Sequence, residues 1–238
     1  MQLFHIENSH IKIQWKILTI FDMPELVNQL RKVLRVKKWD KICAQFSDNR
    51  WTTRYELSIQ DWTNEDLSGE IVSTQTFPFS ERNVSMLIAM PNKQEKAELI
   101  VQKLTEIGIK NIYFRISEHS VIRQWNEKKA ERLNKISREA VEQSRWIQQP
   151  EILFLKSEKD LKNFIDWKDV IIANMDWLDY QELTKKSSNN ICGIIWPEWW
   201  FSDKDLSLFK NANIVDLWNN VLRMETASIV LARLLKNI

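Results

Sequence analysis

Glycine is nearly missing from this chain, which has 3 in 238 residues against 12 tryptophans. That scarcity constrains the fold more than any other feature. Left-handed turns, helix stops and close backbone approaches ordinarily fall to glycine, because any other residue brings a Cβ that clashes there. At average usage a chain of this length holds roughly 17 glycines. Glycine and tryptophan together account for 15 positions, close to that figure. Several tryptophans also stand where turn chemistry is needed. Trp39 lies in Lys-Lys-Trp-Asp between a helical run and a strand, and Trp51 closes Ser-Asp-Asn-Arg-Trp between two strand-like runs. The reading that follows is that many of these tryptophan codons are UGA, decoded as glycine in the source organism. The alternative is a chain truly rich in tryptophan. Trp15, inside an apolar-rich strand pattern, is compatible with a genuine tryptophan.

Composition bounds the rest. With 44% hydrophobic and 28% charged residues, the chain has ample core material and the balance of a soluble globular protein. Its length allows one large or two small domains. A net charge of +2 is too small to specify a nucleic-acid partner. The basic residues cluster, however, with Arg31, Lys32, Arg35, Lys37, Lys38 and Lys41 within eleven positions. Such a cluster can track phosphates or can be a solvated helix end. Cys43 and Cys192 form no Cys-x-x-Cys; that excludes a zinc ribbon and argues against a disulfide scaffold. They read as buried thiols in a reducing cytosol. His5, His10 and His119 lack metal-ligand spacing. No apolar segment precedes a small-residue cleavage site at the N-terminus, and no stretch reaches the ~20 apolar residues of a membrane span.

Periodicity divides the chain. Ile11–Trp15 and Ile17–Ile20 read as strands. Pro24–Val36 reads as a helix, with Leu26, Leu30, Val33 and Leu34 on one stripe. Lys41–Phe46 and Thr52–Ile59 are again strand-like. Short strands with turns over residues 1–73 indicate a small barrel, and residues 74–83 read as a linker. From residue 84 strand and helix alternate. The strands are Val84–Met90, Asn111–Ile116, Ile152–Lys156, Val170–Met175, Cys192–Ile195 and Val215–Leu217. The helices are Lys93–Ile107, stopped by Gly108, the charged Glu127–Ser144, and Leu222–Lys236. Ser157 with Asp160, and Ser202 with Asp205, resemble capping boxes. Continuous apolar strands in such alternation argue an α/β domain with a mainly parallel sheet covered on both faces.

Five motifs then occur in order. They are Lys96-Ala-Glu98-Leu-Ile-Val-Gln102-Lys103-Leu-Thr-Glu106-Ile-Gly108; Glu118-His-Ser120-Val121; Glu142-Gln143-Ser144 with Pro150-Glu151; Ile195-Trp-Pro-Glu-Trp-Trp-Phe-Ser202; and Leu217-Trp-Asn-Asn-Val-Leu-Arg-Met-Glu-Thr-Ala227. With glycine for tryptophan the last two read IGPEGGFS and LGNNVLRMETA. The set resembles the ribosomal RNA small subunit methyltransferase E family, of the SPOUT class, which methylates N3 of a uridine in 16S rRNA. Val33-Leu34-Arg35 and Trp39-Asp40 are similar to an LR…GD segment of that family's first domain. Two departures stand out: His119 replaces a common Arg, and the His often found before Leu-Arg is absent, with Gln29 and Leu30 near its place.

The resemblance implies an N-terminal PUA-like β-barrel (1–73), a linker (74–83) and a C-terminal SPOUT trefoil-knot methyltransferase domain (84–238), in a cytoplasmic homodimer. It implies S-adenosylmethionine as cofactor, no metal, and small-subunit rRNA or the assembled subunit as partner. Cofactor contacts would come from Ile195, Trp196, Pro197, Glu198, Trp199, Leu217, Trp218, Val221, Leu222, Arg223 and Thr226. Arg223 and Glu225 would be catalytic, with Arg223 stabilising charge on the target base and Glu225 and Thr226 bracing the loop. Arg31, Arg35, Lys37 and Lys38 would contact RNA. Taken literally, Trp196, Trp199, Trp200 and Trp218 put four indoles around a pocket for one adenosyl group. If those indoles are genuine, the alternative is a non-catalytic RNA-binding protein whose tryptophans stack on bases. A third reading, a SPOUT enzyme with another RNA target, follows from the fold's indifference to substrate.

Overall fold

The computed structural model describes residues 1–48, 50–115, 126–155, 157–179, 189–195, 209, 212–217 and 220–237, with 175–179 described by backbone alone. The chain forms two compact units. The first comprises Met1–Phe79 and Val141–Gln148, and the second Ser80–Ala140 and Gln149–Ile238.

The first unit is a six-stranded sheet in the order β1-β4-β5-β6-β3-β2. Its strands are β1 (Leu3–His5), β2 (Ile11–Gln14), β3 (Ile17–Ile20), β4 (Lys41–Ser47), β5 (Trp51–Trp62) and β6 (Leu67–Pro78). β1 lies parallel to β4 and the other pairs are antiparallel. The β5–β6 ladder shifts register at Glu56/Leu57 and at Ile59/Asp61. Such bulges bend a sheet and strengthen its twist. The bent sheet and a short helix, α1 (Pro24–Asn28), enclose a core that includes Phe4, Leu18, Ile20, Leu30, Ile42, Leu57 and Ile59. The expected Pro24–Val36 helix divides, because a π-helical turn takes over at Gln29–Val33. β6 runs through Pro78, so residues 74–78, expected as linker, are paired to β5.

Trp15 does not lie in a strand. β2 ends at Gln14, which pairs with Ile17, so Trp15 and Lys16 are the two loop residues of a tight hairpin. Trp15 has φ 58° and its side chain is 100% exposed. Positive φ is what such hairpin loops demand, and glycine or asparagine normally supplies it. Trp39 has φ 76°, and its N–H donates to the Ile59 carbonyl at 2.7 Å. Trp51, by contrast, opens β5 with ordinary strand geometry.

The residues after Val141 complete this unit through their carbonyls. Arg54 donates to Arg145 O at 2.5 Å and to Trp146 O at 3.3 Å. Gln45 donates to Trp146 O at 3.0 Å, and Thr52 Oγ1 donates to Ile147 O. The guanidinium of Arg54 also lies 4.6 Å from the Phe77 ring centroid.

The second unit is an all-parallel sheet in the order β12-β10-β11-β7-β8-β9. Its strands are β7 (Asn83–Ala89), β8 (Asn111–Arg115), β9 (Glu151–Leu155), β10 (Asp169–Asp179), β11 (Asn190–Ile195) and β12 (Asn213–Asp216). Its helices are α2 (Gln94–Ile107), α3 (Glu127–Ser144), α4 (Glu158–Ile165) and α5 (Met224–Asn237). The α2 stripe of Ala97, Ile100, Val101 and Leu104 is buried as its periodicity requires. Gly108 ends α2 at φ 84°. Ser157 and Asp160 form the reciprocal capping box at the start of α4; the second expected box, at Ser202, lies outside the described residues. Gly193 sits where α5 presses on β11. A Cβ there would fall 2.6 Å from Leu235 Cδ1, 2.7 Å from Met86 Sδ and 2.9 Å from Leu231 Cδ2.

Candidate active site

Strand order locates the site. From β7 the chain steps outward to β8 and β9, then returns across to β10; β11 inserts between β10 and β7. The direction of winding therefore reverses between β7 and β11. Open parallel sheets bind ligands at the carboxyl ends of their strands beside such a reversal. Ile195 ends β11 there, paired with Ile88 of β7, and is buried. Leu217 directly follows β12 and is also buried. Val221, four residues further along, is an apolar side chain left 76% exposed. Leu222 packs partly against the core. Arg223 is exposed, and its carbonyl accepts the Ala227 N–H at 2.8 Å, which starts α5.

Met224 anchors the first turn of α5 in the core. That turn carries Glu225, favourably placed near a helix N-terminus, and the exposed Thr226. Glu225 Oε2 lies 3.5 Å from Lys96 Nζ, with side chains 15% and 26% exposed respectively. Lys96 belongs to the first turn of α2, so the structure joins the first of the five ordered motifs to the last. On α2, Glu98 also accepts from Arg132 of α3, at 2.9 Å to Nη2. Those hydrogen bonds hold its carboxyl below the ordinary range.

Of the residues expected at the cofactor or in catalysis, the structure brings Ile195, Leu217, Val221, Leu222, Arg223, Glu225 and Thr226 to one edge of one sheet. Trp196, Pro197, Glu198, Trp199, Trp200 and Trp218, and the threading segment of the expected knot, lie outside the described residues, as do Glu118–Val121. Sequence reasoning assigned no role to Lys96. The available signal was a cation in the first turn of a helix, where the dipole disfavours it.

In the first unit Arg31, Arg35, Lys37 and Lys38 are all exposed. Arg31 Nη1 donates to Asn64 Oδ1 at 3.4 Å. Arg31 and Lys32 line an open groove of about 800 Å³ with Pro24, Glu25, Val27, Asn28 and Asn64. Cys43 and Cys192 are buried free thiols; burial pushes Cys192 up to about 12, which leaves it chemically quiet. Among the described residues no group of His, Cys, Asp or Glu side chains is arranged to hold a metal ion, and no helix is long and apolar enough to cross a membrane.

A parallel sheet with a strand-end site of this kind defines an α/β ligand-binding protein, and its class comes from the family it matches. Residues 79–236 match the family described as RNA methyltransferase domain, and the chain belongs to it. The ribosomal RNA small subunit methyltransferase E of Rickettsia conorii is 27% identical over 218 residues, 85% of this chain and 83% of that protein. The crystal structure of a ribosomal RNA small subunit methyltransferase E from Neisseria gonorrhoeae, bound to S-adenosyl methionine, is similar with a TM-score of 0.82. It covers 100% of this chain and 97% of its own, at 19% identity. A methyltransferase from Legionella pneumophila, in complex with its bound cofactor, matches with a TM-score of 0.81 at 21% identity, covering 100% and 98%. The resemblance drawn from the motifs is thereby borne out. So is the fold class, an α/β SPOUT domain with an N-terminal β-barrel.

Proposed function

We propose that the protein transfers a methyl group from S-adenosylmethionine to N3 of a uridine in small-subunit 16S rRNA. The observation that carries this reading is convergence. The ends of β11 and β12 and the first turns of α2 and α5 meet at the carboxyl edge of a parallel sheet, beside its reversal point. Three of the five motifs, distant in sequence, supply those parts.

The described residues fit the cofactor. Ile195, Leu217, Val221 and Leu222 offer apolar contact, and the exposure of Val221 leaves an apolar surface for a ligand to cover. Thr226 belongs to the same set, and the contacts assigned to Trp196, Pro197, Glu198, Trp199 and Trp218 lie outside the described residues. Bound S-adenosylmethionine supplies an electrophilic methyl group, so the chain needs only to position the base and manage its charge. Arg223, exposed at the mouth of α5, stabilises negative charge developing on the uridine as N3 loses its proton. Holding N3 in line with the methyl group contributes much of the rate. Glu225 braces that turn. The first unit is the RNA-binding barrel, with Arg31, Arg35, Lys37 and Lys38 on phosphates. The working form is a cytoplasmic homodimer.

This site requires glycine at 196, 199, 200 and 218. The backbone at Trp15 and Trp39 supports that substitution, since both take φ values that glycine adopts freely. Peptide mass spectrometry of the natural protein over residues 191–223 tests it. Glycine masses leave an open pocket. Tryptophan masses block it and put the non-catalytic RNA-binding reading first. The activity is tested by mapping methylated uridines in rRNA from cells with and without the gene. Loss of one N3-methyluridine from 16S rRNA is expected, and an unchanged pattern overturns the proposal.

A further inference from the structure

Lys96 breaks a local rule. It occupies the first turn of α2, where the aligned peptide dipoles favour anions and disfavour cations. A cation there needs a tertiary reason, because sequences are otherwise consistent between local and global levels. The structure supplies the reason. Lys96 Nζ lies 3.5 Å from Glu225 Oε2, and both side chains are mostly buried. That oxygen has no hydrogen-bond partner among the described residues, so the ammonium, close but not in hydrogen-bond geometry, is the charge that compensates it. Glu225 stands two residues after Arg223, whose carbonyl begins α5. Whatever fixes Glu225 thus fixes the direction in which the chain leaves Val221 and Leu222.

We propose that Lys96 is a positioning residue of the methyltransferase site: its pairing with Glu225 locks the first turn of α5, and with it Val221, Leu222 and Arg223, against the first turn of α2. This rests on the function proposed above. A packing role alone would be satisfied by an apolar side chain of similar length, whereas a positioning role needs the charge.

The test uses the full chain, carrying at 196, 199, 200 and 218 the residues found in the natural protein. Titration calorimetry measures S-adenosylmethionine, and filter binding measures small-subunit rRNA without cofactor. Lys96→Met is expected to weaken S-adenosylmethionine about tenfold, within the coupling that residues in contact show, and to leave RNA binding within about twofold. Lys96→Arg restores most of the loss. Should Lys96→Met fail to fold by circular dichroism, Lys96→Gln replaces it, with the same expected direction. Unchanged cofactor affinity in a folded Lys96→Met or Lys96→Gln protein overturns the proposal. So does a Lys96→Arg protein no better than Lys96→Met. If the unsubstituted protein binds no S-adenosylmethionine, the proposed function falls instead, and hydrogen exchange decides the pairing. Faster exchange of the Ala227 amide in Lys96→Met supports the lock, and unchanged exchange overturns it.

Discussion

Each unit of this molecule has a helical segment followed by a residue in the left-handed region, and only in the second unit is that residue glycine. In the second unit Gly108 ends α2 at φ 84°. In the first, the π-helical turn ends at Leu34 and Arg35 takes φ 52°; Trp39, four residues on in a separate turn, takes φ 76° with its indole 64% exposed. Trp15 repeats the contrast in a hairpin. The backbone asks for the same conformation in both units, yet the largest side chain stands where the smallest serves. Neither Trp15 nor Trp39 belongs to the core, so packing does not repay the strain. The comparison shows that the fold specifies backbone geometry at these points and leaves the side chain undefended. Gly193 is the opposite case, since there the surroundings leave no room for a Cβ.

Substitutions can break or sharpen this contrast. The largest effect is expected at Gly193. Gly193→Ala forces Leu231, Leu235 and Met86 to move within a packed core and should cost about 1–3 kcal/mol in chemical denaturation. Gly108→Ala strains the backbone at φ 84°, at roughly 1–2 kcal/mol. Trp15→Gly reverses the sign. Relief of left-handed strain exceeds the chain entropy that glycine adds, giving a gain of about 0.5–1 kcal/mol. A Trp15→Gly protein less stable than the Trp15 form would mean that the indole has a role that its exposure hides. The smallest effect concerns charge in the second unit. Arg132 holds the Glu98 carboxyl low, so the folded state gains stability above the ordinary carboxylate range and loses it as pH falls through the lowered value. Glu98→Gln should flatten that acid limb in pH-dependent melting. Cys192, raised by burial to about 12, should resist alkylation at pH 8 until the protein unfolds.

Much of the second unit was legible in the sequence because its signals are local. The α2 stripe, the Gly108 stop and the Ser157 box each lie within one element. The first unit hid more. β1 is three residues long and is defined by its parallel partner β4. β6 reads Leu-Ser-Gly-Glu-Ile-Val-Ser-Thr-Gln-Thr-Phe-Pro, with most of its outer half exposed. It is a strand because β5 pairs with it along its length, and its own apolar pattern is weak. The break of the first helix at Gln29 carries no Pro or Gly to mark it. At the site, the order of motifs named the parts. The Lys96–Glu225 contact joins residues too distant in sequence for any spacing rule to pair them.

The carbonyls of Arg145, Trp146 and Ile147 also set a schedule for synthesis. The side chains that receive them, Gln45, Thr52 and Arg54, leave the ribosome early. Their acceptors belong to a segment made only after Ser80–Ala140. Until then an emerging first unit holds a guanidinium, an amide and a hydroxyl without these acceptors. The first unit to be translated is thus among the last to be finished, and a gene cut at residue 79 encodes a barrel that still lacks its closing piece.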